Sequence, residues 1–157
     1  MMERSFLTFG VGSYMLGVPT DELIEVNRHL KCTKVPGSPK MIRGILNLRG
    51  LLIPAIDVGA YLDIRDAKSK SFCIVLNVQG NHIALMVDSI GDINAFNPSE
   101  LVLPPTHLLG QNQEAVLGAY RLSTGLLIVL DTSAISHNAQ NHSGTIPIEF
   151  QSLPVLS

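Results

Sequence analysis

Short apolar segments recur along this chain, punctuated by Gly and Pro, and their lengths and alternation are those of strands. Residues 6–9 and 14–18 flank a Gly10-Val11-Gly12-Ser13 turn and read as a hairpin. Residues 23–26 and 31–35 follow, and Pro36-Gly37-Ser38-Pro39 forces a change of direction. Residues 45–48 and 51–57 are joined by the tight link Arg49-Gly50. Pro54 has no N–H to give a ladder, which predicts an edge position or a bulge. Beyond a polar stretch at 65–71 come 72–78, a Gln79-Gly80-Asn81 turn and 83–87, a second hairpin. Residues 90–93, 115–122 and 126–130 complete the set. No segment sustains a helical period; only 59–62 and 132–136 read as helical turns. The pattern predicts a mostly-β protein.

The two halves echo each other. Gly50-Leu51-Leu52-Ile53-Pro54-Ala55-Ile56-Asp57 is matched by Gly125-Leu126-Leu127-Ile128-Val129-Leu130-Asp131. Leu23, Glu25 and Val26 are matched by Ile90, Asp92 and Ile93, the paired blocks lying about 70 residues apart. A half of that size buries too little surface to stand alone. Two related small barrels packed together are therefore expected, with approximate subdomains 14–70 and 71–136, an N-terminal strand 5–10 crossing between them, and a loose Asn- and Ser-rich tail over 137–157. The crevice between the barrels is the expected docking place.

Composition narrows the function. The chain has 157 residues, 46% hydrophobic and 15% charged, enough to pack a single domain. A net charge of −2 and 5% aromatic residues provide neither a basic field nor stacking rings, so nucleic acid is not the expected partner. The apolar runs are too short to cross a bilayer. Met1-Met2-Glu3-Arg4-Ser5-Phe6 does not resemble a signal peptide, and Cys32 and Cys73 make no C-x-x-C, which together predict a reduced, cytoplasmic setting. Asn141-His142-Ser143 matches a glycosylation sequon by chance on that reading.

Candidates for chemistry are few. His29, His82, His107, His137 and His142 show no metal-ligand spacing, and no phosphate loop or nucleophile elbow is present. No metal, cofactor or catalytic residue is expected. Ala55-Ile56-Asp57-Val58-Gly59-Ala60 and Val129-Leu130-Asp131-Thr132-Ser133-Ala134 place one Asp per repeat, as a proton-sharing acid dyad requires. Neither reads Asp-Thr-Gly or Asp-Ser-Gly, so helix capping is the simpler role and an aspartic-type hydrolase the remote alternative.

One stretch carries a family resemblance. Residues 39–57 contain Pro39, Gly44, Asn47-Leu48-Arg49-Gly50, Pro54 and Asp57 at the spacing P-x-x-x-x-G-x-x-N-L-R-G-x-x-x-P-x-x-D. This resembles the signature of the CheW family, coupling proteins of bacterial chemotaxis, and the likeness extends over about residues 5–136. It implies two five-stranded, SH3-like β-barrels with a shared apolar interface and no catalytic activity. It further implies an adaptor that couples the cytoplasmic tips of methyl-accepting chemoreceptors to the regulatory domain of a CheA-type histidine kinase. The setting would be the cytoplasm, at membrane receptor arrays but not inserted in the membrane. Relatives in type IV pilus and twitching motility make that pathway the alternative. The match places partner contacts at Leu23, Glu25, Val26, Arg43, Gly44, Asn47, Arg49, Ile90 and Ile93. Leu23, Val26, Ile90 and Ile93 would accept an apolar helix stripe, or else belong to the barrel core. Arg49 would pin a partner's carboxylate or carbonyl, or else hold the two halves together.

Overall fold

The computed structural model describes residues 3–28, 32–68, 71–103 and 113–143, with side chains from 114 to 140 in the last stretch. Ten strands run through them: β1 (Arg4–Val11), β2 (Tyr14–Pro19), β3 (Leu23–Arg28), β4 (Ile42–Leu48), β5 (Leu51–Asp57), β6 (Phe72–Val78), β7 (Asn81–Val87), β8 (Ser89–Phe96), β9 (Val116–Leu122) and β10 (Gly125–Leu130). Helix α1 (Val58–Tyr61) follows β5, and α2 (Thr132–Ser143) follows β10.

The strands make two five-stranded sheets, ordered β8-β1-β2-β10-β9 and β3-β6-β7-β5-β4. Each sheet takes its central hairpin from one half of the chain and its three other strands from the other half. Hairpin β1–β2 lies between β8 and β10, the latter parallel to β2. Hairpin β6–β7 lies between β3 and β5, the latter parallel to β7. The line at residues 70 and 71 thus divides chain segments, while both sheets draw on either side of it.

In each sheet a single two-residue bridge closes the curl between the terminal strands. Past β3, Thr33 exchanges both backbone hydrogen bonds with Ile45 of β4, at 2.9 and 2.8 Å. Past β8, Val102 does the same with Ala119 of β9, at 2.8 and 2.7 Å. The expected strand over 31–35 reduces to this bridge at Thr33, and Lys31 lies outside the described residues.

Burial follows strand alternation, because side chains point to opposite faces in turn. On β6, Ile74, Leu76 and Val78 face a core shared by both sheets, while Cys73 and Val75 face the bore of their own sheet with Leu46, Ile53, Ala84 and Met86. Leu7, Phe9, Ile128 and Leu130 meet the shared core from the other side, and Phe6, Tyr120, Leu127 and Val129 fill the second bore. Strands covered on both faces explain the continuous apolar runs.

Two expectations are corrected. Pro54 sits in β5, an interior strand, because its side facing β7 is unpaired: the parallel register there begins at Ala55. The chain also does not loosen at His137. Helix α2 continues to Ser143, held by Ile135 and Ala139 in the shared core and by Asn138, whose Nδ2 donates to the Tyr61 hydroxyl at 2.6 Å. Tertiary packing here overrides the poor helix propensity of Ser and Asn. The remainder of the expected tail lies outside the described residues.

Candidate partner-docking site

The signature stretch forms the β4–β5 hairpin. A two-residue link with both residues left-handed suits the twist of such a hairpin, and Arg49 (φ 53°) and Gly50 (φ 88°) supply it. Asn47 locks the turn: its Oδ1 accepts from the Gly50 N–H at 3.0 Å. The β6–β7 hairpin repeats the device, with Gln79 (φ 53°), Gly80 (φ 89°) and Asn77 Oδ1 accepting from the Gly80 N–H at 2.9 Å. Asn77-Val78-Gln79-Gly80 is thus a second N-x-x-G turn, a signal present in the sequence but not used in reading it.

The left-handed turn swings the Arg49 side chain over β3. There its guanidinium meets the Glu25 carboxylate through Nη1 to Oε1 and, at 3.3 Å, Nη2 to Oε2. Asn27 Nδ2 also donates to Glu25 Oε2 at 2.7 Å. These bonds, Arg49's first and Asn27's second, hold the Glu25 carboxyl below its ordinary range. Both partners belong to the same sheet, on opposite sides of its seam, so Arg49 clasps the seam and does not join the two halves. The arginine remains 61% exposed.

Arg43 and Gly44 serve the same seam from β4. The register shifts between Ile42 and Gly44, leaving Arg43 as a bulge whose Nη1 reaches Asp57 Oδ2 at 3.1 Å. Gly44 lies where the bridging strand comes closest. A Cβ there would meet the Thr33 carbonyl carbon at 2.7 Å, and the equivalent Gly118 would meet the Val102 oxygen at 2.8 Å.

The apolar candidates divide by burial. Leu23 and Ile90 are half-buried against the shared core. Val26 and Ile93 are exposed, Ile93 to 59%. Two exposed apolar residues beside the clasp were missed. Leu51 follows the turn directly, and Ile24 shares the exposed face of β3 with Val26, in a strand whose burial alternates residue by residue. Ile24 and Val26 thus flank Glu25 along β3, and Leu51 follows Arg49-Gly50 at the start of β5. Around the seam of the other sheet, Leu101, Leu103 and Leu117 are exposed as well.

The remaining candidates for chemistry are absorbed by structure. Asp57 Oδ1 accepts from the Ala60 N–H and Asp131 Oδ1 from the Ala134 N–H, each at 3.1 Å, so each carboxylate caps the helix it precedes. Among the described residues, no three His, Cys, Asp or Glu side chains gather as metal ligands. His29 and His107 lie outside those residues. Burial raises the Cys32 thiol and pushes Cys73 up to about 12, which keeps both protonated and unreactive near neutral pH. No helix of the described residues is long and apolar enough to cross a membrane.

A model of the CheW-like domain matches residues 5–140. The chemotaxis protein CheW of Treponema pallidum is 28% identical over 131 residues, covering 80% of this chain and 77% of that one. Protein FrzA of Myxococcus xanthus is 29% identical over 128 residues, covering 73% of this chain and 80% of that one. The crystal structure of the scaffolding protein TtCheW from Thermoanaerobacter tengcongensis shares the fold, with a TM-score of 0.75 at 23% identity over 83% of this chain and 86% of that one.

Proposed function

Because this chain belongs to the CheW-like domain family, we propose that it is a non-catalytic adaptor which couples chemoreceptors to a CheA-type histidine kinase in chemotaxis signalling. The observation that carries the reading is that exposed apolar residues stand at the edge of each sheet, at a different place in each. Ile24, Val26 and Leu51 are exposed on the strands that carry the Arg49–Glu25 clasp, and Leu101, Leu103 and Leu117 are exposed next to the Val102–Ala119 bridge of the other sheet. A coupling protein needs two separate contact surfaces, and exposed apolar patches are the usual form such surfaces take.

In this reading the clasp patch takes the apolar stripe of a receptor's cytoplasmic helix, with Val26 and Ile24 as the apolar floor and Arg49 offering its outward donors to the helix's carbonyls or carboxylates. Leu23, Arg43, Gly44 and Asn47 set the shape of that surface from below. Ile90 and Ile93 on β8 and the second seam meet the kinase's regulatory domain. The protein acts in the cytoplasm and reaches membrane receptor arrays only through its partners.

The test is co-purification from the native cell, followed by binding of the isolated kinase regulatory domain and of a receptor cytoplasmic fragment. Capture of both supports the adaptor; binding of neither, by folded protein, overturns it. A second reading, the same role in a type IV pilus motility pathway, is favoured by one finding: the relatives are not all named for chemotaxis, and FrzA matches as well as the CheW proteins do. The identity of the captured kinase separates the two.

A further inference from the structure

The net charge of −2 conceals an uneven distribution. Residues 28–43, which lead from β3 into β4, hold Arg28, Lys31, Lys34, Lys40 and Arg43. These are five of the chain's eleven basic residues, and the stretch has none of its thirteen acidic ones. Arg43 is paired with Asp57, whereas Arg28, Lys34 and Lys40 are exposed, and no carboxylate among the described residues lies within salt-bridge reach of them.

Strand pairing brings these three to one rim of their sheet. Asp57 of β5 stands opposite Met86 of β7, Met86 opposite Cys73 of β6, and Cys73 opposite Asn27 of β3, a row across four strands. Arg28 is one residue past that row, and Lys40 precedes Met41, whose carbonyl accepts the Asp57 N–H. Lys34 follows the Thr33 bridge to Ile45, and the antiparallel sense of that bridge sets it on the Gly44 side, toward the same rim. The backbone here is already ordered. The Ser38 hydroxyl and N–H both donate to the Val35 carbonyl, at 2.7 and 3.2 Å, and the Ile42 N–H donates to the Pro39 carbonyl at 2.9 Å. Pro36 and Pro39 fix their own φ angles. The Arg28 guanidinium rests 5.1 Å from the centre of the Phe72 ring. Such a surface has little backbone freedom left to lose on binding.

We propose that Arg28, Lys34 and Lys40 bind an acidic segment of the receptor helix whose apolar stripe sits on the clasp patch, through its Asp and Glu carboxylates; this rests on the adaptor reading. Strand β3 makes the two surfaces continuous, because Ile24, Val26 and Arg28 alternate on its exposed face. Residues two apart on a strand are about 6.6 Å apart, a distance that a helix covers in about four residues. A helix laid along β3 with apolar side chains over Ile24 and Val26 therefore reaches Arg28 about one turn further on. A carboxylate at that turn faces Arg28, and its neighbours on the same helix face meet Lys34 and Lys40 across the seam. Phe72 packs on the shared core and carries Arg28, so it offers no face to a stacked base, and residues 32–43 expose no large apolar side chain for a lipid surface to take.

Two experiments on the full chain test this. In the first, binding of a receptor cytoplasmic fragment is measured at low and at high salt, for wild type and for Lys34→Glu combined with Lys40→Glu. Both positions are exposed, so the melting curve should stay in place. Binding about three- to tenfold weaker at low salt, with the difference shrinking as salt is raised, is expected. Wild-type affinity and salt dependence in the folded double variant overturn the proposal. In the second, an oligoglutamate peptide is titrated and followed by amide NMR. Saturable shifts around Arg28, Lys34 and Lys40 that weaken in the double variant are expected; shifts that are absent, or spread evenly over the protein, overturn the rim as a carboxylate site. Duplex DNA that displaces the peptide from the same residues at lower concentration reassigns the rim to phosphate and overturns the proposal as well. If the wild type binds the peptide but not the receptor fragment, the adaptor reading fails and the choice of a receptor helix falls with it, while the carboxylate-binding rim stands.

Discussion

Asp57 and Asp131 occupy one structural role twice. Each donates its backbone N–H at 2.8 Å to the carbonyl of the residue that leads into the antiparallel partner strand, Met41 or Ala115, and each accepts on Oδ1 from the backbone N–H three residues on, at 3.1 Å. The echo seen in the sequence is therefore an echo of strand-end geometry, and it leaves no carboxylate pair to share a proton.

Replacing either aspartate by Ala is expected to lower stability without touching any chemistry. Asp131→Ala should cost about 1 kcal/mol, the usual worth of a helix cap. Asp57→Ala should cost more, because Arg43 loses its partner as well. Urea unfolding measures both, and equal losses would show that the Arg43 pair contributes nothing.

Strand existence and the tandem repeat were legible in the sequence because Gly, Pro and alternation are local signals. The crossing of strand 5–10 was expected, but the exchange of whole hairpins was not, since the pairing of β2 with β10, or of β6 and β7 with β3 and β5, leaves no mark on any segment alone. At the candidate site, Asn47, Arg49 and Gly50 could be read from turn chemistry. Ile24 could not, because an isoleucine within a short apolar run gives no sign of facing outward, although the alternation of β3 sets it on the exposed face with Val26. Helix α2 past His137 was hidden for a similar reason: Ile135 and Ala139 anchor it through tertiary contacts that its composition does not announce.

Leu23 and Ile24 should respond oppositely to an introduced Asp. Leu23 lies against the shared core, so Leu23→Asp is expected to lose roughly 2–3 kcal/mol of stability. Ile24 is 45% exposed, so Ile24→Asp should leave the melting curve in place and weaken receptor binding. Thermal melts with binding on the same samples decide it, and an unfolded Ile24→Asp would remove that residue from the docking surface.

The clasp offers a charge-swap experiment. Arg49→Glu alone should weaken assembly with receptor or kinase. Adding Glu25→Arg restores opposite charges across the seam, and full recovery of affinity would mean that the arginine acts only on the fold. Continued weakness is the expected result, since most of the guanidinium faces solvent. The Glu25 carboxyl, held low by Arg49 and Asn27, contributes to stability above its unfolded value of 4.5, and that contribution fades as pH falls through the lower folded value.

Glu22 has the opposite sign. It precedes β3 in the crossover from one sheet to the other and accepts the Thr132 hydroxyl at 2.7 Å, tying the crossover to the start of α2. Burial raises its carboxyl above 4.5 despite the Thr132 bond, with smaller pushes from Asp21 and Asp131 and an opposing pull from Arg4. Its favourable contribution is complete below the unfolded value and lost as pH rises through the folded one. Glu22→Gln, whose amide oxygen still accepts from Thr132, should therefore match or exceed wild-type stability at neutral pH and remove this part of the pH dependence. A large loss at neutral pH would show that the ionised carboxylate is needed.

The exchanged hairpins have a consequence for how the molecule is made. On a ribosome the first half emerges with β1 and β2 lacking both flanking neighbours, and with β3, β4 and β5 lacking the hairpin that belongs at the centre of their sheet. The sheet β3-β6-β7-β5-β4 can be completed only once β7 has left the exit tunnel, and the sheet β8-β1-β2-β10-β9 only once β10 has. Long-range pairings dominate, so loop closure governs the rate and folding should be slow and all-or-none. Two fragments cut in the polar stretch between β5 and β6 would each be incomplete, yet each would hold the missing centre of the other's sheet. They should regain structure only on mixing, at a rate that rises with concentration.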